Sequence, residues 1–431
     1  MPRGDDKVRL GRATTLTILY FVVRMDQPVS QHPHSEPLKS SRVKEVFCAF
    51  LLLGLTSFGG PVAHLGYFRT EFVERRAWLS DKAYAELVSL CQFLPGPASS
   101  QVGFALGLLR AGPWGAFAAW AAFTLPSALA LYLFALGAST LEGPISAGVI
   151  HGLKLAAVAI VAHAVWGMAR TLCPDGRRAV IALASVFLVA WAGGTIGQIS
   201  AISVGALAGL LLCRTQAEGD VYQQVVPVSR FAGRLAGLAY IGLLLGLPLL
   251  AALNSSAFLM VIDAFYRAGA LVFGGGHVVL PLLEAEAVQP GWVAAEDFLT
   301  GYGAAQAVPG PLFTFAAYLG AVMTPLGGGI IAAGLALLMI FLPGMLLLVA
   351  VLPRWDEFRR WSHAQALMRG ANAAVVGILA AALYHPIWTS AVHGLPDFAL
   401  ALAGFLGLSV WRLRVWAVVI LLAAGGVVVT L

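Results

Sequence analysis

From about residue 46 to its end, the chain alternates long apolar runs with short polar joints. Runs lie near 46–66, 83–109, 116–138, 145–169, 179–194 and 197–213. A polar connector ("RTQAEGDVYQQVVPVSR") and one further run near 235–253 follow. Six more runs then appear near 257–281, 298–320, 327–351, 366–385, 396–410 and 413–430. Long apolar runs with few charges are the pattern of helices crossing a bilayer. The pattern therefore predicts an all-α polytopic membrane protein with about 13 transmembrane segments. Residues 1–44 are polar and basic, and their short apolar stretch from Ala13 to Val23 cannot span a bilayer. They read as an unstructured cytoplasmic tail, for which Met25 would serve as a start as well as Met1.

The pattern repeats. "SFGGPVAHLGYF" and "CQFLPGPASSQVGFALG" return as "VFGGGHVVLPLL" and "AQAVPGPLFTFAAYLG". Phe58 and Phe273 stand 215 positions apart; Gln92 and Gln306, and each residue of the two Pro-Gly-Pro motifs, stand 214 apart. "FTLP" at Phe123 matches "IFLP" at Ile340, and "HGLKLAAVAIVAHAVW" at His151 matches "RGANAAVVGILAAALY" at Arg369. A fixed offset over this many positions marks an internal duplication. The expected domains are the tail (1–44), a first repeat (45–215), a connector with one extra span (216–255) and a second repeat (256–431). Seven crossings between the copies would make them an inverted repeat.

Charge placement fits that path with one exception. With the tail in the cytoplasm, Arg110, Arg170, Arg177, Arg178, Arg214, Arg230, Arg234, Arg354, Arg359, Arg360, Arg412 and Arg414 all fall on the inner side, as the positive-inside rule asks. "FRTEFVERRAWLSDKAYAEL" does not: it places Arg69, Arg75, Arg76 and Lys82 outside, and reads as an interfacial amphipathic helix. Composition agrees with a membrane protein. The 431 residues are 59% hydrophobic and 11% charged, against about 25% charged in soluble domains. The net charge of +6 sits in the tail and short loops, and no basic stretch interleaved with aromatics suggests nucleic acid. Cys48, Cys91, Cys173 and Cys213 lack paired metal spacing and read as packing residues. Neither a metal nor a cofactor is expected.

The chemistry concentrates at the repeated motifs. Proline removes a backbone donor and glycine weakens a helix, so Pro95-Gly96-Pro97 and Pro309-Gly310-Pro311 should break their helices inside the membrane. Such breaks are tolerated only when buried in protein or lining a wet cavity. Restarting half-helices would aim free N–H groups and a positive dipole end inward, an anion seat. One such motif is more often a kinked structural helix. Two at equivalent positions, preceded by Gln92 and Gln306, favour a ligand site. Gly59-Gly60-Pro61 and Gly274-Gly275-Gly276 form a second pair of breaks, with small-residue packing an equal alternative. Ser99, Ser100 and Thr314 could donate to the same ligand or simply pack.

Charges at membrane depth are functional candidates by default. Lys154 has Asn372 as its repeat partner, and Asp263 and Arg267 have ion-pair spacing. Arg267 could attract an oxyanion bidentately or be neutralised by Asp263. His64 and His277 could titrate near neutrality, although lone histidines are more often packing residues. Glu71 and Glu286 also correspond. No Walker loop, HExxH or GxSxG motif is present.

These motifs, from "FGGP" with "HLGYF" and "RRAWLSD" to "QFLPGPASSQVGFALG", "FGGGHVVLPLLE" and "AQAVPGPLFTFAAYLG", resemble the long-chain, two-domain members of the chromate ion transporter family. The resemblance runs from about residue 44 to the C-terminus. It implies a multi-pass carrier in the bacterial inner membrane that expels chromate, driven by an ion gradient, and confers resistance. The family-type positions are Gly59, Gly60, Pro61, Gln92, Pro95, Gly96 and Pro97, then Gly274, Gly275, Gly276, Gln306, Pro309, Gly310 and Pro311. Pro61 against Gly276 departs from symmetry. The expected partners are an oxyanion (chromate, with sulfate the nearest alternative) and the lipid bilayer, with a homodimer left open. An intramembrane enzyme would instead bring Asp263, His277 and Glu284 into one pocket, and a passive channel would never accumulate its anion.

Overall fold

In a computed structural model, the described residues are 39–138, 143–213, 228–254, 256–273, 276–355, 357 and 361–430. The expected tail, apart from its last residues, and Gly274 and Gly275 lie outside them. All regular structure among the described residues is helical. The first repeat comprises α1 (Lys39–Thr56), α2 (Gly60–Arg69) with a π-turn at Thr70–Arg75, α3 (Asp81–Phe93), α4 (Ala98–Ala138), α5 (Pro144–Leu172), α6 (Gly176–Ala192) and α7 (Gly194–Leu212). The extra helix is α8 (Arg230–Asn254). The second repeat follows as α9 (Ala257–Ala270), α10 (Val279–Leu283) with a π-turn at Glu284–Val288, α11 (Ala295–Ala307), α12 (Phe315–Val322), α13 (Gly329–Val351), α14 (Ser362–Ala382), α15 (Leu395–Ser409) and α16 (Val415–Thr430). The π-turns at Thr70–Arg75 and Glu284–Val288 sit at equivalent places, while a third, at Leu383–Trp388, belongs to the second repeat alone among the described residues.

Local sequence explains the joints. Ser80 caps α3 by accepting from the Ala83 N–H, and Asp175 caps α6 by accepting from the Arg178 N–H. Pro113 follows a non-helical Ala111–Gly112 step that divides α4 into two segments. Among the described residues, six helical stretches are long and apolar enough to cross a membrane: 98–137, 144–172, 194–212, 230–254, 329–354 and 362–388. Shorter apolar helices cover 312–322, 395–409 and 415–430. Large apolar side chains such as Trp191, Leu211, Leu253 and Ile331 are exposed, whereas Gln101, Lys154 and Asp263 are buried. That inside-out pattern is what a lipid solvent produces. The chain is a polytopic helical membrane protein.

The first part of each repeat doubles back. Glu45, near the start of α1, accepts from Arg110 at the end of the first segment of α4 (2.9 Å) and from the Trp78 indole (3.2 Å), and lies 3.8 Å from Arg76. The chain therefore leaves this cluster along α1, turns at residues 57–59 and returns along α2. It leaves again along α3, turns at Pro95-Gly96-Pro97 and returns along α4 to Arg110. The second repeat does the same. Trp292, before α11, accepts the Thr324 N–H (3.0 Å) just beyond α12. The connection carrying Arg76, which sequence alone puts across the membrane from Arg110, shares a carboxylate with it.

Candidate functional site

The four turning points meet in the middle of the molecule, and each repeat reaches into the other. The Gly96 N–H donates to the Val272 carbonyl (2.7 Å), and the Gly310 N–H donates to the Ser57 carbonyl (2.9 Å). Gly96 and Gly310 are repeat equivalents, as are Ser57 and Val272, so the two bonds are one interaction made twice about a pseudo-twofold axis. Both glycines have positive φ, +123° and +103°, where a side chain is strained. The space is also closed: a Cβ on Gly96 would stand 3.0 Å from the Gly344 Cα, and one on Gly310 2.7 Å from the Ser127 Oγ. Gly344 and Ser127 are themselves equivalents in "IFLPG" and "FTLPS". The axis also accounts for Pro61 standing where the second repeat has Gly276. A Cβ on Gly276 would lie 3.0 Å from the Pro61 Cγ, so equivalent positions touch and only one can carry a ring.

Polar groups gather at these turns. His64 is fully buried, with Nε2 3.2 Å from the Ser57 carbonyl and Nδ1 3.4 Å from the Ser99 Oγ. A ring donating to the carbonyl and accepting from the serine is neutral and satisfied, which matches the packing reading of that histidine. Ser100 Oγ, Ser57 Oγ, Thr124 Oγ1 and Gln101 Oε1 are buried without partners. Gln101 Nε2 donates to the Pro95 (3.0 Å) and Gly344 (2.9 Å) carbonyls. On the second side His277 Nδ1 meets the Tyr302 hydroxyl at 2.9 Å, and Gln306 Nε2 and Asn372 Oδ1 are buried without partners. Thr314 spends its hydroxyl on the Pro311 carbonyl (2.7 Å). Unpaired buried polar atoms cost free energy in a packed interior, so their concentration around the turns is what a ligand or water site requires. Among the described residues, no backbone acceptor meets the N–H groups of Ala98, Ser99 or Ser100 at the start of α4, the end of the helix that favours negative charge.

Several expected roles shift. Gln92 is exposed on α3, and the buried glutamine of the first break is Gln101, a polar residue four positions after Pro97 in an otherwise apolar run. Neither membrane-depth cation is free. Lys154 Nζ lies 3.2 Å from Glu296 at the start of α11. Arg267 is held by Glu286 through two bonds (3.0 and 2.7 Å) and by Asp263 (3.0 Å). Glu286 also accepts from Thr195 (3.0 Å). Its equivalent Glu71 takes Arg75 (3.0 Å) and Arg76 (2.7 Å), so both π-turn carboxylates are buried and paired. The cationic groups nominated from sequence are thus already neutralised: Arg267 by Asp263, as their spacing suggested, and also by Glu286, and Lys154 by Glu296, a partner too far along the chain for sequence to name. Asp263, His277 and Glu284 have three different partners, Arg267, Tyr302 and Gln289.

Comparison with known proteins bears on what this site serves. The chromate transporter family model matches residues 44–210 and 259–429, once per repeat. The chain belongs to the chromate transporter family. Its curated relatives include a probable chromate transport protein of Synechococcus elongatus, 29% identical over 387 residues covering 88% of this chain and 92% of the relative. A chromate transport protein of Pseudomonas aeruginosa is 27% identical over 88% of this chain and 90% of its own length. One from Cupriavidus metallidurans is 27% identical over 81% and 83%. No solved structure matches the chain. The protein is a transporter of this family and not an enzyme.

Proposed function

We propose that the chain is a secondary active carrier that exports chromate from the bacterial cytoplasm across the inner membrane, and so confers chromate resistance. The observation that carries this reading is the reciprocal pair of bonds from Gly96 to Val272 and from Gly310 to Ser57, which brings all four turns to one place between the repeats. The anion sits there against Gly59, Gly60, Pro95, Gly96, Pro97 and Ser99 of one repeat and Gly276, Gln306, Pro309, Gly310 and Pro311 of the other, with Ser100 and Gln101 added and Gln92 left outside. Charge compensation comes from Lys154. Its partner Glu296 has a largely exposed side chain and gives up the ammonium more cheaply than two buried carboxylates give up Arg267. Asn372, His64 and His277 complete the polar lining, and Asp263 holds Arg267.

Among the described residues the membrane path has nine crossings: the second segment of α4, then α5, α6, α7, α8, α13, α14, α15 and α16. The α1–α2, α3–α4, α9–α10 and α11–α12 pairs fold back halfway. Five crossings separate the repeats, an odd number, so they are inverted with the N-terminus in the cytoplasm. This path keeps every arginine of the inner loops inside and moves Arg69, Arg75, Arg76 and Lys82 there too, which removes the one exception to the positive-inside rule. Transport is a rocking of the halves about the shared turns.

The test is labelled chromate uptake into everted membrane vesicles, with and without an imposed proton gradient and with excess sulfate. Gradient-dependent accumulation that resists sulfate supports the reading. Sulfate competition at equal concentration makes the physiological anion sulfate, and equilibration without accumulation makes the protein a channel.

A further inference from the structure

The π-turn of the second repeat buries a carboxylate that no cation meets among the described residues. Glu284 opens that turn and is 8% exposed. The wide π geometry brings residues five apart together. The Gln289 N–H donates to the Glu284 carbonyl (3.2 Å), and Gln289 Nε2 donates to the Glu284 carboxylate (3.3 Å). Gln289 is also pinned from beyond the turn, since a Cβ on Gly194 at the start of α7 would stand 2.6 Å from its Oε1. Gln198 of α7 donates to the Pro281 carbonyl (2.8 Å) and holds α10 in place.

Each element packed against this turn has its charge committed elsewhere. In α9, Arg267 is held by Asp263 and by Glu286, the turn's other carboxylate, and Tyr266 donates to the Tyr240 carbonyl (3.0 Å). In α11, Glu296 faces Lys154, Tyr302 meets His277, and Asp297 adds a carboxylate. Neither α7 nor α10 carries a charged residue. Among the described residues the Glu284 carboxylate therefore has an amide for a partner and no ion pair. A buried carboxylate without a cation costs free energy that binding a proton removes.

The first repeat shows an alternative use of the same positions. At the 215-position offset of Phe58 and Phe273, Glu284 and Gln289 correspond to Arg69 and Glu74. Arg69 and Glu74 form an ion pair with both side chains exposed, and Arg69 also donates to Asp81 (2.7 Å). One π-turn thus closes on a solvated salt bridge and the other on a buried carboxylate–amide pair. With the N-terminus in the cytoplasm, the first lies at the inner face and the second at the outer. Gln289 is exposed, so the carboxyl is one side chain away from outer water.

On the carrier reading, on which this rests, we infer that Glu284 is the binding site of the coupling proton at the outer mouth. A carboxylate oxygen takes a proton from outer water, and the neutral carboxyl stays buried as it is here. The O–H bond breaks again when rocking opens the turn to the cytoplasmic pathway, and the proton leaves inward. Gln289 is a positioning residue: its amide donates to the carboxylate and, turned over, accepts from the carboxyl.

Two activities are measured in everted vesicles, whose lumen is the outer side. One is labelled chromate accumulation driven by an imposed proton gradient, acid inside; the other is labelled chromate exchange in chromate-loaded vesicles without a gradient. Glu284→Gln should lose accumulation and keep exchange, because a side chain fixed in the neutral form delivers no proton. Gln289→Lys, at an exposed position, sets a cation beside the carboxylate and holds it ionised. Its accumulation should need a more acidic lumen, with the midpoint of the pH profile lower by about one unit or more at a constant pH difference, while exchange continues. A residue that only supports the fold would not shift that midpoint. Wild-type accumulation in Glu284→Gln overturns the proton site alone. So does loss of both activities in Glu284→Gln together with an unshifted Gln289→Lys profile. Wild-type vesicles that exchange chromate without responding to the proton gradient also overturn it and leave the transport of chromate standing. Wild-type vesicles with neither activity overturn the carrier reading and this inference with it.

Discussion

Gly310→Ala tests the interlock of the repeats, with a cost set by the local backbone and its neighbours. The backbone at Gly310 has φ +103°, and holding an alanine there costs about 1–3 kcal/mol. Its Cβ would stand 2.7 Å from the Ser127 Oγ and 3.2 Å from the Ser127 Cβ, an overpacking penalty of about 1–3 kcal/mol. Only the second part can be relieved, by trimming the obstacle. Ser127→Gly recreates the arrangement the first repeat already has, where Gly96 faces Gly344. Unfolding titrations in mixed detergent–SDS micelles should show Gly310→Ala losing about 3 kcal/mol and the double variant recovering about 1–2 kcal/mol of it, a coupling well outside the additivity of independent sites. Gly96→Ala should be equally costly without a matching rescue, because its nearest fixed neighbour is the Gly344 Cα at 3.0 Å. A Gly310→Ala protein as stable as wild type, or a double variant showing simple additivity, refutes the proposed approach of the two breaks.

Other consequences are direct. Gly377→Ala should destabilise by about 3 kcal/mol, since its Cβ would overlap the Ala182 carbonyl where α14 crosses α6, whereas Gly246→Ala, with nothing within 4 Å, should be neutral in the same titration. Lys154→Gln should fold and lose chromate uptake, and Glu296→Gln, which frees the ammonium, should lower KM; unchanged uptake in Lys154→Gln removes that lysine from the site. A cysteine at Lys82 should react with a membrane-impermeant maleimide in everted vesicles and not in intact cells, and the reverse would return the Arg69–Lys82 connection to the outer face.

Much of this molecule was readable from sequence because the duplication conserved backbone chemistry. Pro95-Gly96-Pro97 and Pro309-Gly310-Pro311 announce breaks through what proline and glycine cannot do, and the structure ends α3 and α11 just before them. Apolarity likewise announced α5, α8 and α14. Composition gives no signal about whether an apolar run with a break passes straight on or folds back; that depends on Glu45 meeting Arg76 and Arg110, contacts made only after folding. The partner of Lys154 was hidden for the same reason, Glu296 lying in the other repeat, whereas the four-residue spacing of Asp263 and Arg267 did announce their pair and only Glu286 went unseen. Gln92 and Gln306 looked equivalent by position. Yet the exposed face of α3 carries the first, while Gln306 is half-buried with an unpartnered amide nitrogen.

The central claim is that one anion site lies at the shared turns, and comparison of Gln306→Met with Gln92→Met tests it most directly. Both substitutions keep side-chain length and remove the amide, and labelled chromate uptake into everted vesicles is the readout. The account predicts that Gln306→Met loses most gradient-driven uptake while Gln92→Met transports as wild type does. Full uptake in Gln306→Met, or equal losses in both, would contradict it.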